Sequence, residues 1–231
     1  MYSDSGHYEL DMTITLYDTP EVAKKDLDDS IRTSSGRFQP GSFTSPEAIG
    51  DESWFLPQNG KFKTLTFRLG RMVVLVEGSR SRLATTDLEF PPAAVEAVAY
   101  QILLRASQQA KLVGVPDQNT RLAVNGHALP QNALLVGKQT YVPVREFAKA
   151  MGLTSGWDTK TGALTLTGAG RKAVALTAGS TAVTVAGAKA SALVVPVLKD
   201  GGEPVMALSD LLALTGGRIT GHMGNTVQVK G

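Results

Sequence analysis

Few side chains in this 231-residue sequence stand at spacings that chemistry uses. Asp51 and Glu52 are adjacent carboxylates in Gly50-Asp51-Glu52-Ser53-Trp54, and Asp87 is a third candidate acid. Paired carboxylates can cleave a glycoside, but only if they face each other across the bond, and neighbours on a turn usually point apart. The plainer reading is a solvated turn that leads into a strand. Trp54 and Phe55 follow, either as core aromatics or as a platform for a sugar ring. The histidines are His7, His127 and His222, with no metal-ligand spacing among them. There is no cysteine, so no thiolate metal site, disulfide or cysteine nucleophile. No Gly-x-Ser-x-Gly elbow surrounds any serine. Gly168-Ala169-Gly170-Arg171 lacks the spacing and the Lys-Ser/Thr ending of a phosphate loop. Asp200-Gly201-Gly202-Glu203 reads as a turn, short of a calcium loop's ligands. The expectation is a protein without catalytic residues, cofactor or metal, and not an enzyme.

The elements that hold these residues differ between the two halves. Up to Val115 there are 12 basic and 15 acidic residues; from Pro116 onward there are 11 and 6. The first half is therefore net acidic and the second net basic. The first holds six of the seven Phe, while the second is rich in Ala, Gly, Thr and Val. That shift places a boundary at Pro116-Asp117-Gln118-Asn119, with domains over 1–115 and 116–231.

In the first half, Tyr8, Leu10, Met12, Ile14 and Leu16 alternate with Glu9, Asp11, Thr13 and Thr15. Period two predicts a half-buried strand with one wet face. Thr19-Pro20-Glu21 then carries a cap, a proline suited to the first helical position and an acid for the positive helix end. Val22, Ala23, Leu27 and Ile31 make that helix's apolar stripe, and Ser34-Ser35-Gly36 ends it. A loop with Pro40, Gly41 and Pro46 follows. Phe62 to Leu69 and Met72 to Glu77 read as a hairpin about Gly70-Arg71. The unbroken run Met72 to Val76 suggests a central strand covered on both faces. Pro91-Pro92 opens a last helix with Val95, Ala99, Ile102 and Leu103 inward. This half reads as α+β: an antiparallel sheet with two helices packed on one face.

The second half reads as two copies of one unit, about 120–168 and 172–231. The first runs Val124-Asn125-Gly126-His127, then Tyr141-Val142-Pro143-Val144-Arg145-Glu146-Phe147-Ala148, Met151-Gly152, Gly156-Trp157-Asp158 and Ala163-Leu164-Thr165-Leu166. In the second, Val185-Ala186-Gly187 answers the Asn-Gly turn, Val205 to Gly216 answers Tyr141 to Gly152 at an offset of 64, and Thr226 to Val229 answers Ala163 to Leu166. Each copy predicts β-hairpins around one short helix. Val144, Phe147, Ala148 and Met151 face inward on that helix and Gly152 caps its end. Neither copy buries much alone, so the two should share a core.

These motifs resemble the copper amine oxidase N-terminal-like domain, also called the stalk domain, over residues about 120–231. The second copy departs from the pattern at Ala207, Ser209 and His222-Met223, where the first has Pro143, Arg145 and Trp157-Asp158. The resemblance implies an accessory module and not an oxidase, since the large catalytic domain with its copper-binding histidines is absent. It also implies an exported or cell-surface setting. Met1 to Gly6 is polar, with neither a basic nor an apolar leader region. An extracytoplasmic location would therefore mean that a leader had been removed. Arg145 stands where the family keeps an Arg. It reads as a local ion pair more than an anion contact. Trp157-Asp158 reads as a core cover and turn stabiliser more than a ligand platform.

With 42% apolar residues the chain can build ordinary cores, and no apolar run is long enough to cross a bilayer as a helix. A net charge of +2 argues against a nucleic-acid binder. The function expected is a non-enzymatic exported or envelope protein. Its modules would contact cell-wall polymer or another envelope protein, with Trp54, Phe55, Arg145, Trp157 and Asp158 as the candidate interaction surface. The alternative is a small-molecule binder or sensor, with a pocket in the first domain or at the domain junction.

Overall fold

The computed structural model describes residues 8–35, 49–58, 62–80, 92–114, 119–136 and 139–231. The expectations for His7, for Asp87, for the loop over 40–46 and for the linker at 116–118 fall outside these residues. The chain divides into two compact units, Met1–Pro116 and Asp117–Gly231.

The first unit contains β1 (Tyr8–Leu16), α1 (Pro20–Ser35), β2 (Glu52–Gln58), β3 (Phe62–Leu69), β4 (Met72–Arg80), α2 (Pro92–Gln108) and α3 (Ala110–Val113). Its sheet has the order β1-β4-β3-β2, and every pairing is antiparallel. Gly70, at φ 56°, turns β3 into β4 in the two residues the sequence allots. Leu65, Phe67 and Leu69 lie opposite Val76, Val74 and Met72, and all six are buried. Thr19 Oγ1 caps α1 by accepting from Val22 N–H at 3.3 Å, and Ala23 and Leu27 are its fully buried residues. The Tyr17 hydroxyl donates to Asp26, and Lys24 Nζ lies 3.4 Å from Glu52 Oε2. These contacts tie α1 to the sheet face that carries Glu52 and Arg68. Along α2, Val95, Ala99, Leu103 and Leu104 are buried, while Ile102 is half-buried.

Two expectations, for β4 and β1, are corrected here. Thr64 and Thr66 on one side of β3 and Leu65 and Phe67 on the other are all buried. The interior strand is therefore covered from both sides. In β4, Met72, Val74 and Val76 are buried while Val73 and Leu75 are only half-buried, so the apolar run is not wrapped evenly. The alternating strand β1 was expected to bury one face. Instead Leu10, Met12, Ile14 and Leu16 are 44–52% exposed. The reason is position: β1 is the outermost strand, and α1 and α2 pack chiefly on β3 and β4.

The second unit contains β5 (Asn119–Val124), β6 (His127–Ala128), β7 (Ala133–Val136), β8 (Gln139–Pro143), α4 (Val144–Ala150), β9 (Thr154–Asp158), β10 (Ala163–Thr167), β11 (Val174–Thr177), β12 (Thr184–Val185), β13 (Ala188–Lys189), β14 (Leu198–Asp200), β15 (Glu203–Ala207), α5 (Leu208–Thr215), β16 (Arg218–Met223) and β17 (Thr226–Lys230). One sheet runs β14-β15-β8-β7-β5-β17-β16, with β6 on β5; the other runs β13-β12-β11-β10-β9. Asn125 and Gly126 (φ 51° and 82°) turn β5 into β6, and Ala186 and Gly187 (φ 51° and 81°) turn β12 into β13. Positive φ at both turn positions is what a type I′ hairpin asks.

Val144, Phe147, Ala148 and Met151 are buried, as their helical spacing demands. Gly152, at φ 72°, closes α4. Its N–H donates to Lys149 O, and Leu153 N–H donates to Ala148 O, the paired bonds of a Schellman end. One core joins Leu122, Phe147 and Leu164 with Met206, Leu208, Leu211 and Val229. In the β8–β15 ladder Val142 lies opposite Met206, and α4 contacts β15 while α5 contacts β8. The parallel pairing of β17 with β5 binds the unit's last strand to its first.

Candidate functional site

The adjacent carboxylates of the first unit converge on one cation. Arg68 on β3 stands opposite Glu52 on β2. Its Nε lies 2.6 Å from Glu52 Oε1, and its Nη1 lies 2.9 Å from Asp51 Oδ2. Asp51 Oδ2 also accepts from Gly70 N–H at 2.8 Å, and Arg68 Nη1 donates to Gly70 O at 2.8 Å. Arg68 is largely buried, so these charge-assisted bonds are shielded from water and hold the β3–β4 turn against the entry to β2. Both carboxylates are held on one guanidinium, and Lys24 adds a second positive charge beside Glu52. They lack the free, opposed geometry that a glycoside needs. Trp54 and Phe55 are both half-buried on β2 and alternate to opposite faces of the sheet. They form no shared platform. The Trp54 indole N–H is buried without a hydrogen-bond acceptor among the described residues.

In the second unit, two of the five candidate surface residues, Trp157 and Arg145, reach the β14–β15 turn, and Asp158 follows Trp157 at the end of β9. Trp157 Nε1 donates to Gly202 O at 2.7 Å, and Lys199 Nζ lies 5.6 Å from the centre of its ring. Arg145 Nη1 reaches both carboxylate oxygens of Glu203, at 3.1 and 3.0 Å. Asp158 Oδ1 accepts from Lys160 N–H at 2.8 Å and Thr161 N–H at 3.2 Å. Those backbone bonds hold its carboxyl below the usual range. Trp157 thus braces β9 to a turn 45 positions away, Arg145 braces α4 to the same turn, and Asp158 locks the β9–β10 loop. The Arg145–Glu203 pair is exposed on both sides and contributes little to stability by itself. The cation over Trp157 covers part of a ring that would otherwise be free to stack.

Lys199, Gly202 and Glu203 were not visible as partners in the sequence. The only signal there was the Gly-Gly turn itself, read correctly as a turn with no indication of what it meets. Asp210 was missed as well. It is buried in the first turn of α5 and accepts from Val194 N–H at 3.1 Å and Val195 N–H at 3.4 Å. Burial raises its pKa and the two N–H bonds oppose the rise. Among the described residues, no group of three or more His, Cys, Asp or Glu is placed to hold a metal ion. No helix among them is long and apolar enough to cross a membrane.

What these contacts build is a braced scaffold of hairpins and short helices. Residues 123–222 match the model of the copper amine oxidase N-terminal domain. That domain is a non-catalytic part of its family. The match lies wholly within the second unit and coincides with the segment whose motifs carry the resemblance. No curated protein and no solved structure matches the chain.

Proposed function

We propose that the chain is a non-enzymatic exported or cell-envelope protein whose second unit mediates contact with cell-wall polymer or another envelope protein. The observation that carries this reading is the match of residues 123–222 to a non-catalytic domain. Two further features favour it. The paired acids of the first unit are bound to Arg68 and not free for catalysis. The second half carries an excess of basic residues, 11 against 6, which suits an anionic polymer.

We also read the second unit as two copies of one motif. The β8–β15 ladder supports this, because Val142 faces Met206, its counterpart at the offset of 64, as a local two-fold between copies requires. The contact surface proposed is the rim around Arg145, Trp157, Asp158, Lys199 and Glu203. There the braced turn offers charge of both signs beside an aromatic.

The test is retention of the full chain on purified peptidoglycan and a panel of wall glycans, with the unit 117–231 run alongside. Retention by both, lost in Lys199→Ala or Arg145→Ala with the fold unchanged, supports the reading. Absence of retention on every polymer removes wall binding and leaves an envelope protein as the partner to be sought.

A further inference from the structure

Among the described residues, β1 pairs only with β4, and its outer edge combines two exposed features on the same four residues. Tyr17 N–H donates to Arg71 O, across the position that follows the Leu16–Met72 pair. Hydrogen-bonded pairs alternate along an antiparallel ladder, so the odd residues of β1 point their backbone groups at β4. Leu10, Met12, Ile14 and Leu16 therefore present N–H and C=O to the open edge. Their side chains lie opposite Gly78, Val76, Val74 and Met72, on a face that is buried along β4 and about half exposed along β1. Natural edge strands are usually protected by lysine, proline or a bulge. From Tyr8 to Leu16 there is no Lys or Pro, and the register with β4 runs without a shift.

We propose that β1 is a self-association edge, and that a second copy of this chain joins it antiparallel to form one continuous sheet of twice the width. The alternation of backbone groups selects even residues to face even residues. A two-fold axis at Thr13 then sets Leu10 against Leu16 of the second copy and Met12 against Ile14 of the second copy. All four outward-facing residues of each strand are hydrogen-bonded, and eight apolar side chains form one row. On the other face Thr13 meets Thr13 and Asp11 meets Thr15, so no acid opposes an acid. The strand is complementary to itself in both apolar pattern and charge. This inference is independent of the function proposed for the second unit.

The chain has no cysteine, so one introduced thiol reports the register without background. Thr13 would be a non-hydrogen-bonded pair on the axis, where Cα atoms stand about 4.5 Å apart, within disulfide reach. In the full chain, Thr13→Cys should form a covalent dimer on mild oxidation. Asp11→Cys alone should not, because it faces Thr15, while an equimolar mixture of Asp11→Cys and Thr15→Cys should. The unmodified chain should sediment as a dimer at about 50 μM, well above a micromolar dissociation constant. Ile14→Lys should weaken that dimer at least about ten-fold, with its far-ultraviolet circular dichroism unchanged. A monomer at that concentration overturns the proposal. So does equal crosslinking by Thr13→Cys and Asp11→Cys, or a dimer indifferent to Ile14→Lys.

Discussion

Phe147→Ala tests whether the second unit has a single core. Phe147 is fully buried on α4, and its cluster includes Met206, Leu208 and Leu211 from the later elements as well as Leu122 and Leu164 from the earlier ones. Truncation to Ala removes about 100 Å² of buried apolar surface, roughly 2.5 kcal/mol. The cavity left behind adds roughly 1–2 kcal/mol if the site relaxes only in part. The expected loss is about 3–5 kcal/mol. For a unit spanning Asp117–Gly231, an unfolding entropy of about 2 cal/mol/K per residue converts this to a melting temperature lower by roughly 12–20 °C. The assay is urea unfolding followed by tryptophan fluorescence. The chain has two Trp, Trp54 in the first unit and Trp157 in the second, so a Trp54→Phe background isolates the transition of interest. One cooperative transition should move to lower urea with its slope unchanged. A midpoint shift worth less than about 1 kcal/mol would refute full burial of the ring. A split into two transitions would refute the shared core.

Arg68→Ala removes the guanidinium that Asp51 and Glu52 share and leaves Lys24 beside Glu52, and should destabilise the first unit by about 2 kcal/mol, read from the Trp54 transition. An unchanged midpoint would mean that water already screens the network. Gly152→Ala forces a side chain into φ 72° at the end of α4 and should cost about 1 kcal/mol in the Trp157 transition; a neutral result would show that the helix end re-forms otherwise. Asp158 and Asp210 should give opposite pH dependences. The Asp158 pKa is depressed by backbone N–H bonds, so its stabilisation is present above the unfolded Asp value, near pH 4, and is lost as pH falls through the lower folded value. Burial raises the Asp210 pKa, so the folded state holds the proton more tightly, and stability declines as pH rises from the unfolded value through the higher folded one. Melting temperatures of Asp158→Asn and Asp210→Asn from pH 3 to 7, each compared with the unsubstituted chain, should therefore differ in opposite senses. Parallel curves would contradict both assignments.

Much of the local structure was legible because its causes are local. The stripe Val144, Phe147, Ala148 and Met151 determines which side of α4 turns inward. Gly152 ends that helix because its backbone enters the left-handed region. Asn125-Gly126 and Asp158 specify their turns through their own backbone and side chains. The same motifs carried the family resemblance, since they are short, contiguous and dictated by geometry.

The tertiary structure alone decided what each of these pieces meets. Alternation along β1 correctly announced a strand, but burial depends on what lies beyond it, and Leu10, Met12, Ile14 and Leu16 stay about half exposed. Asp51 and Glu52 looked like neighbours that diverge, yet the β2–β3 register brings one guanidinium to both. Trp157 and Arg145 were visible as residues, but their partners Gly202 and Glu203 lie 45 and 58 positions away. The β5–β17 pairing joins Arg121–Val124 to Thr226–Val229, and no local pattern encodes such a ladder. Periodicity, caps and turns follow from a few adjacent residues and can be read directly. Burial, ion-pair partners and sheet edges are properties of distances between segments, and those are set only when the whole chain has packed.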